Sequence, residues 1–197
     1  MRHWLIIFCL LITLPGFARG QFDVGLRDSR FIYGQYTLDN HYFGRLEQSV
    51  FSEAIADQYL RGYVGYIARP GKWELKASGY FGSTYNRSYH SEGALLSARF
   101  FPWKRLWIKG VLNPHHDSGI GYSTCYEAVA GVSIVKAIDL LAGYSTIPEY
   151  RQSEKRAHVG FDFHVGHLNV SPVLSLATTG ASKANRLRLL VNFNYQF

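Results

Sequence analysis

The sequence predicts an all-β chain, a single antiparallel transmembrane β-barrel of about 12 strands with ten as the competing number. Three observations point to it. Apolar and polar residues alternate with a period of two over most of the chain, the repeat of a strand with two unlike faces. The connections between these segments alternate short and long, as periplasmic turns and external loops do in membrane barrels. After the first twenty residues no apolar run reaches the roughly 18 residues that a transmembrane helix needs. A spanning strand needs only about 9–11 residues with alternate ones apolar. A mean hydropathy of −0.09 therefore does not speak against a membrane.

The N-terminus reads as a signal peptide over residues 1–20, with the barrel domain over 21–197. Arg2 and His3 give a basic start, Trp4 to Leu14 an apolar stretch, Pro15-Gly16 a break and Ala18-Arg19-Gly20 a cleavage site. Its removal leaves Cys125 as the one cysteine, which excludes an internal disulfide. Losing Arg2 and Arg19 takes the formal charge from +7 to +5. The basic residues are scattered singly through an exported chain, so nucleic acid is not the expected partner.

The strands follow in order. Gln21–Arg27 alternates through Phe22, Val24 and Leu26, and Arg30–Leu38 returns from it. Tyr42–Phe51 and Gln58–Ile67 come next. Trp73, Leu75, Ala77 and Phe81 face away from Glu74, Lys76 and Ser78; Ala94 to Phe100 and Leu106 to Leu112 continue the pattern. Tyr126–Ile134, Ile138–Ser145, Ala157–Gly166 and His167–Leu176 lead to Arg186–Phe197. Pro172 falls inside one of these segments, where a missing ladder donor implies a bulge or a shifted boundary. The short connections are Asp39-Asn40, Arg69 to Lys72, Pro102 to Lys104, Lys136-Ala137 and Gly166. The long ones are Ser52–Asp57, Thr84–Ser91, Asn113–Tyr122, Pro148–Glu154 and Thr178–Asn185. Enrichment in Tyr, Phe and Gly suits strands and turns. Trp73, Trp103 and Trp107 sit beside short turns, and Tyr59, Tyr85, Tyr89, Tyr122 and Tyr150 near long loops, as two interfacial girdles would.

The last strand places Leu187, Leu189, Val191, Phe193, Tyr195 and Phe197 on one face. It must close against the first strand, because an open edge in lipid is untenable. Phe193, Tyr195 and the terminal Phe197 resemble the C-terminal signal of bacterial outer-membrane proteins. That resemblance implies insertion by the barrel-assembly machinery and residence among outer-membrane lipids. The small size and Tyr/Gly-rich strands are also similar to YaiO-type outer-membrane barrels.

The inward face is expected to carry Arg45, Glu47, Arg61, Glu74, Lys76, Arg99, Lys109, Glu127, His158, Asp162, His164 and Arg188. On the lipid face an Arg or Lys near mid-bilayer would cost about 2–4 kcal/mol. Twelve strands give a backbone radius of roughly 12 Å, which Arg and Tyr side chains projecting from both sides would largely fill. The expectation is thus a polar, side-chain-filled, non-catalytic barrel; the alternative is a narrow channel for small polar solutes. A further alternative is a lipid-modifying hydrolase built on His116, Ser118 and Glu127. The His116-x-Ser118 spacing is similar to that of the lipid A deacylase barrels, but 79 residues follow Ser118 and Gly119 stands where that pattern has Asn. His158 and His164 lie about 20 Å apart along one strand and cannot share a metal. His164 and His167 alone make a weak pair, so neither a metal nor a cofactor is expected.

Overall fold

The computed structural model describes residues 20–50, 58–146, 155–179 and 186–197. The expected signal peptide, the connection Ser52–Asp57, and Tyr150 with its loop lie outside the described residues.

The described chain forms twelve strands and one closed sheet in which every strand pairs with its neighbours in sequence and β1 pairs with β12. They are β1 Gly20–Arg27, β2 Phe31–Leu38, β3 Tyr42–Ser49, β4 Tyr59–Ala68, β5 Trp73–Thr84 and β6 His90–Trp103. The other wall is β7 Leu106–Asp117, β8 Gly121–Val135, β9 Ile138–Ser145, β10 Lys155–Val165, β11 Leu168–Thr179 and β12 Leu187–Gln196. All neighbouring pairs are antiparallel. Each segment expected from the alternation is therefore a strand.

The period of two produces this shape directly. One face of each strand is apolar and turned outward: Ile32, Leu46, Val64, Phe81, Leu112, Val159, Leu174 and Leu189 are each 47–77% exposed. A protein in water does not carry so continuous an apolar surface. The other face points inward and is polar, with Asp23, Thr37, Glu47, Ser78, Asp139 and Ser175 buried. The tight three-residue turns place left-handed backbone at their first two positions, as type I′ turns do. Asp39 and Asn40 have φ of 50° and 61°, and His41 N donates to Leu38 O at 3.0 Å. Asp28 and Ser29, at 54° and 57°, make the same turn between β1 and β2. That connection is short although it lies at the long-loop end.

The strands are of unequal height. β1, β2 and β3 have 8 residues each, while β8 has 15. Two expected long loops are accordingly much shorter. Asn113–Tyr122 is strand up to Asp117 and again from Gly121; Thr84–Ser91 leaves only 85–89 outside β5 and β6. Inside/outside alternation continues beyond the apolar band, and paired backbone tolerates polar side chains there. Pro172 sits within β11 opposite Val191. The β10–β11 ladder has no registered pairs between Gly160 and Phe163, yet its register is the same on both sides. The missing donor thus interrupts the ladder without a bulge, and a Cβ on Gly160 would collide with the Pro172 carbonyl. The barrel closes where Asp23–Leu26 meets Phe193–Gln196, the shortest ladder in the described sheet. Asp28 N donating to Asn192 Oδ1 at 2.7 Å and Val191 N donating to Ser29 Oγ at 2.7 Å extend that seam.

The girdles need correction. Trp73 and Trp103 are exposed, but Trp107 is buried inside the barrel. Its Nε1–H donates to Asp139 Oδ2 at 3.1 Å. Tyr59 is also internal, bonded through its hydroxyl to Ser91 Oγ at 2.6 Å and packed against Tyr89. Parity explains both: Trp107 shares its face with Lys109, and Tyr59 shares its face with Arg61.

Candidate functional site

The interior holds a cavity of about 410 Å³. Smaller ones of about 270 and 120 Å³ adjoin it, and Arg45 lines all three. The expected lumen residues Arg45, Glu47, Arg61, Glu74, Lys76, Arg99, Lys109 and Glu127 all line the largest cavity. Asp162 lies elsewhere on the inner wall, where it accepts from Ser171 Oγ at 2.7 Å. Arg188 stands opposite Ser175 on the β11–β12 ladder.

Part of the lumen stays open because several aromatic rings lie along its wall. Trp107, Phe43 and Tyr33 each lie against a glycine on a neighbouring strand. A Cβ on Gly131 would run into the indole of Trp107, one on Gly65 into the ring of Phe43, and one on Gly25 into the ring of Tyr33. These are directly paired positions. Glycine removes the obstacle, and the ring covers the exposed backbone. The rings become part of the wall, and space remains between the walls.

Charge then decides the character of that space. The main cavity is lined by Arg27, Arg45, Arg61, Lys76, Arg99 and Lys109 against Glu47, Glu74 and Glu127. Every carboxylate is held. Glu47, 2% exposed, accepts from Arg27 Nε at 3.1 Å and lies 3.0 Å from Arg45 Nη2. Glu74 meets Arg69 at 3.3 Å and Lys76 at 3.4 Å, and Glu127 meets Lys109 at 2.9 Å. Two cations make no direct ion pair among the described residues, although Arg61 stands opposite Glu47 on the β3–β4 ladder and shares its field. Arg61 donates to the Tyr63 hydroxyl at 2.8 Å, and its guanidinium lies 4.9 Å from the ring centroids of both Tyr59 and Tyr80. Arg99 lies 4.0 Å from the centroid of the Trp107 ring, with its Nε unpartnered. Aromatic faces stabilise a guanidinium without cancelling its charge. The cavity keeps a positive surplus. At its long-loop mouth, burial and the neighbouring Asp117 push the Tyr89 hydroxyl well above its ordinary range, which keeps it neutral.

His116, Ser118 and Glu127 are not brought together. Ser118 Oγ accepts from the His90 N–H at 3.1 Å. His116 packs at a tilt against the exposed Tyr122 and approaches Glu92 at 3.9 Å on the outer face. Glu127 is inside with Lys109. Asp117 closes the turn by accepting from the N–H groups of Gly119 and Ile120 at 2.8 and 2.7 Å. His158 and His164 are also separate. His158 Nε2 lies 2.5 Å from Ser145 Oγ, while His164 Nδ1 lies 2.6 Å from Asn169 Oδ1. His167 packs against Tyr195 on the opposite face. Among the described residues no group of three metal-ligating side chains converges. Sequence reasoning missed Arg27, Trp107 and the Tyr59, Tyr63 and Tyr80 cluster. Counting parity from Lys109 and Arg61 would have found the aromatic ones.

Solved structures of porins share this architecture. A KdgM porin in complex with disordered oligogalacturonate superposes with a TM-score of 0.65 at 9% identity, covering 90% of this chain and 98% of that one. A second KdgM porin structure gives 0.61 at 9% identity, covering 90% and 98%. The fold is that of outer-membrane porins. A NanC porin gives 0.55 at 8% identity, covering 90% of this chain and 97% of that one. No protein-family model and no curated protein sequence matches the chain.

Proposed function

We propose that this porin-fold barrel is a narrow outer-membrane channel for small anionic solutes, with its long loops external and its short turns periplasmic. The observation that carries this is the positive surplus around an open cavity, six Lys and Arg side chains against three carboxylates, with Arg61 and Arg99 packed on aromatic rings. A confined cationic lumen raises the local concentration of anions and admits them in preference to cations. The KdgM structure was solved with oligogalacturonate, a polycarboxylate saccharide, and that chemistry fits the surplus described above. Acidic sugars are accordingly the solute class to try first.

The test is conductance in planar bilayers under a salt gradient. The reversal potential should report anion selectivity, and Arg99→Gln with Arg61→Gln should move it toward zero. A cation-selective wild type would overturn the reading. A wild type that stays silent would favour a closed barrel, constricted around Arg45, Glu47 and Arg27.

A further inference from the structure

We propose that the short-turn rim carries a docking surface for anionic glycerophospholipid, formed by Lys104, Arg105 and Lys136 beside Trp103. The inference rests on the outer-membrane reading and is independent of what passes through the lumen.

Cations on this rim are gathered on one side. The turns after β4, β6 and β8 hold Arg69, Lys72, Lys104, Arg105 and Lys136, whereas those after β2 and β10 hold no Lys or Arg. The three basic turns are neighbours in the barrel. Phe101 N donates to Lys72 O at 2.9 Å, and Ser133 N donates to Arg105 O at 2.8 Å, so the backbones interlock turn to turn. Two of the five cations are already engaged. Arg69 reaches Glu74 and the Asn40 carbonyl, and Lys72 Nζ donates to the Pro102 carbonyl at 3.0 Å. Lys104, Arg105 and Lys136 are exposed and have no side-chain partner among the described residues. No Asp or Glu lies in these three turns.

The adjoining outer face is apolar and aromatic. Trp103 is 69% exposed, and Trp73 stacks on Phe100 at 4.5 Å directly below Lys72. Indole at the headgroup level, with flexible cations reaching past it, is the arrangement that meets a lipid phosphate. A phosphodiester with a neutral headgroup keeps its full negative charge. One with an ammonium headgroup places a like charge against the three cations. The surface therefore distinguishes phosphatidylglycerol from phosphatidylethanolamine, and a water-soluble acidic chain would make no use of Trp103.

The experiment is native mass spectrometry of the detergent-released barrel with phosphatidylglycerol or phosphatidylethanolamine added. Phosphatidylglycerol should be retained preferentially. Each of Lys104→Gln, Arg105→Gln and Lys136→Gln should weaken its retention roughly fivefold, Trp103→Ala should weaken both lipids, and Lys155→Gln at the opposite end should change nothing. Equal retention of the two lipids by the wild type would overturn the inference. So would a triple variant that binds like wild type, or displacement by polyglutamate with Trp103→Ala silent. Heat-modifiable migration shows that each variant is folded, and the single variants serve if the triple does not fold. Recovery of the protein without detergent would sink the outer-membrane reading itself, a different failure from a membrane barrel without lipid preference.

Discussion

The indole of Trp107 occupies the space a side chain would fill at Gly131, its directly paired neighbour on β8. Seen from the lumen, the ring is a paving stone, supporting Arg99 on one side and anchored by Asp139 at its Nε1–H. Gly131→Val should lift the indole off the wall. The expected result is a shift in tryptophan emission together with reduced conductance, because the ring then stands in the passage. Unchanged emission would mean that the wall yields and the ring does not move.

Glu47 is the buried counter-charge for Arg27 and Arg45. Removing one partner of a buried ion pair costs about 3–5 kcal/mol, since the remaining charges lose their compensation. Glu47→Ala should lower the urea midpoint of unfolding from lipid vesicles by a corresponding amount. In molecules that fold, anion selectivity should rise. A variant as stable as wild type would show that water or lumen ions neutralise the arginines unaided.

Ser118 is engaged by the β6 backbone. Ser118→Ala should cost about 0.5–1.5 kcal/mol, the net worth of one hydrogen bond. Neither it nor His116→Ala should alter any ester hydrolysis by the folded barrel. An activity lost in both variants would revive the hydrolase alternative.

Phe197 extends the seam: its N–H donates to Phe22 O at 2.9 Å, and its ring meets those of Phe22 and Tyr195 at 5.9 and 4.8 Å. Phe197→Asp should reduce the assembled, heat-modifiable fraction in membranes while leaving synthesis unchanged. Full assembly would remove Phe197 from the proposed recognition by the barrel-assembly machinery.

The strands were legible because alternation is local: two faces in unlike solvents leave their mark every second residue, down to the weak β1. The inner wall was harder to read. Whether Trp107 crosses the lumen or lies against it depends on Gly131, twenty-four positions away in sequence and brought opposite only by the β7–β8 register. The heights of β7 and β8 were underestimated because polarity was taken as loop chemistry. In fact Asn113, His115 and Asp117 continue the inward face above the apolar band. Turn residues gave a true signal at Asp39-Asn40, where positive φ suits them.

The short ladder between β1 and β12 has a mechanical meaning. Gly20 and Phe197 leave the sheet at the same end, so tension applied between them loads this seam as a zip, breaking its backbone bonds one after another. A shear geometry would load them all at once. The barrel should therefore yield first along Asp23–Leu26, at low force, and then peel away hairpin by hairpin.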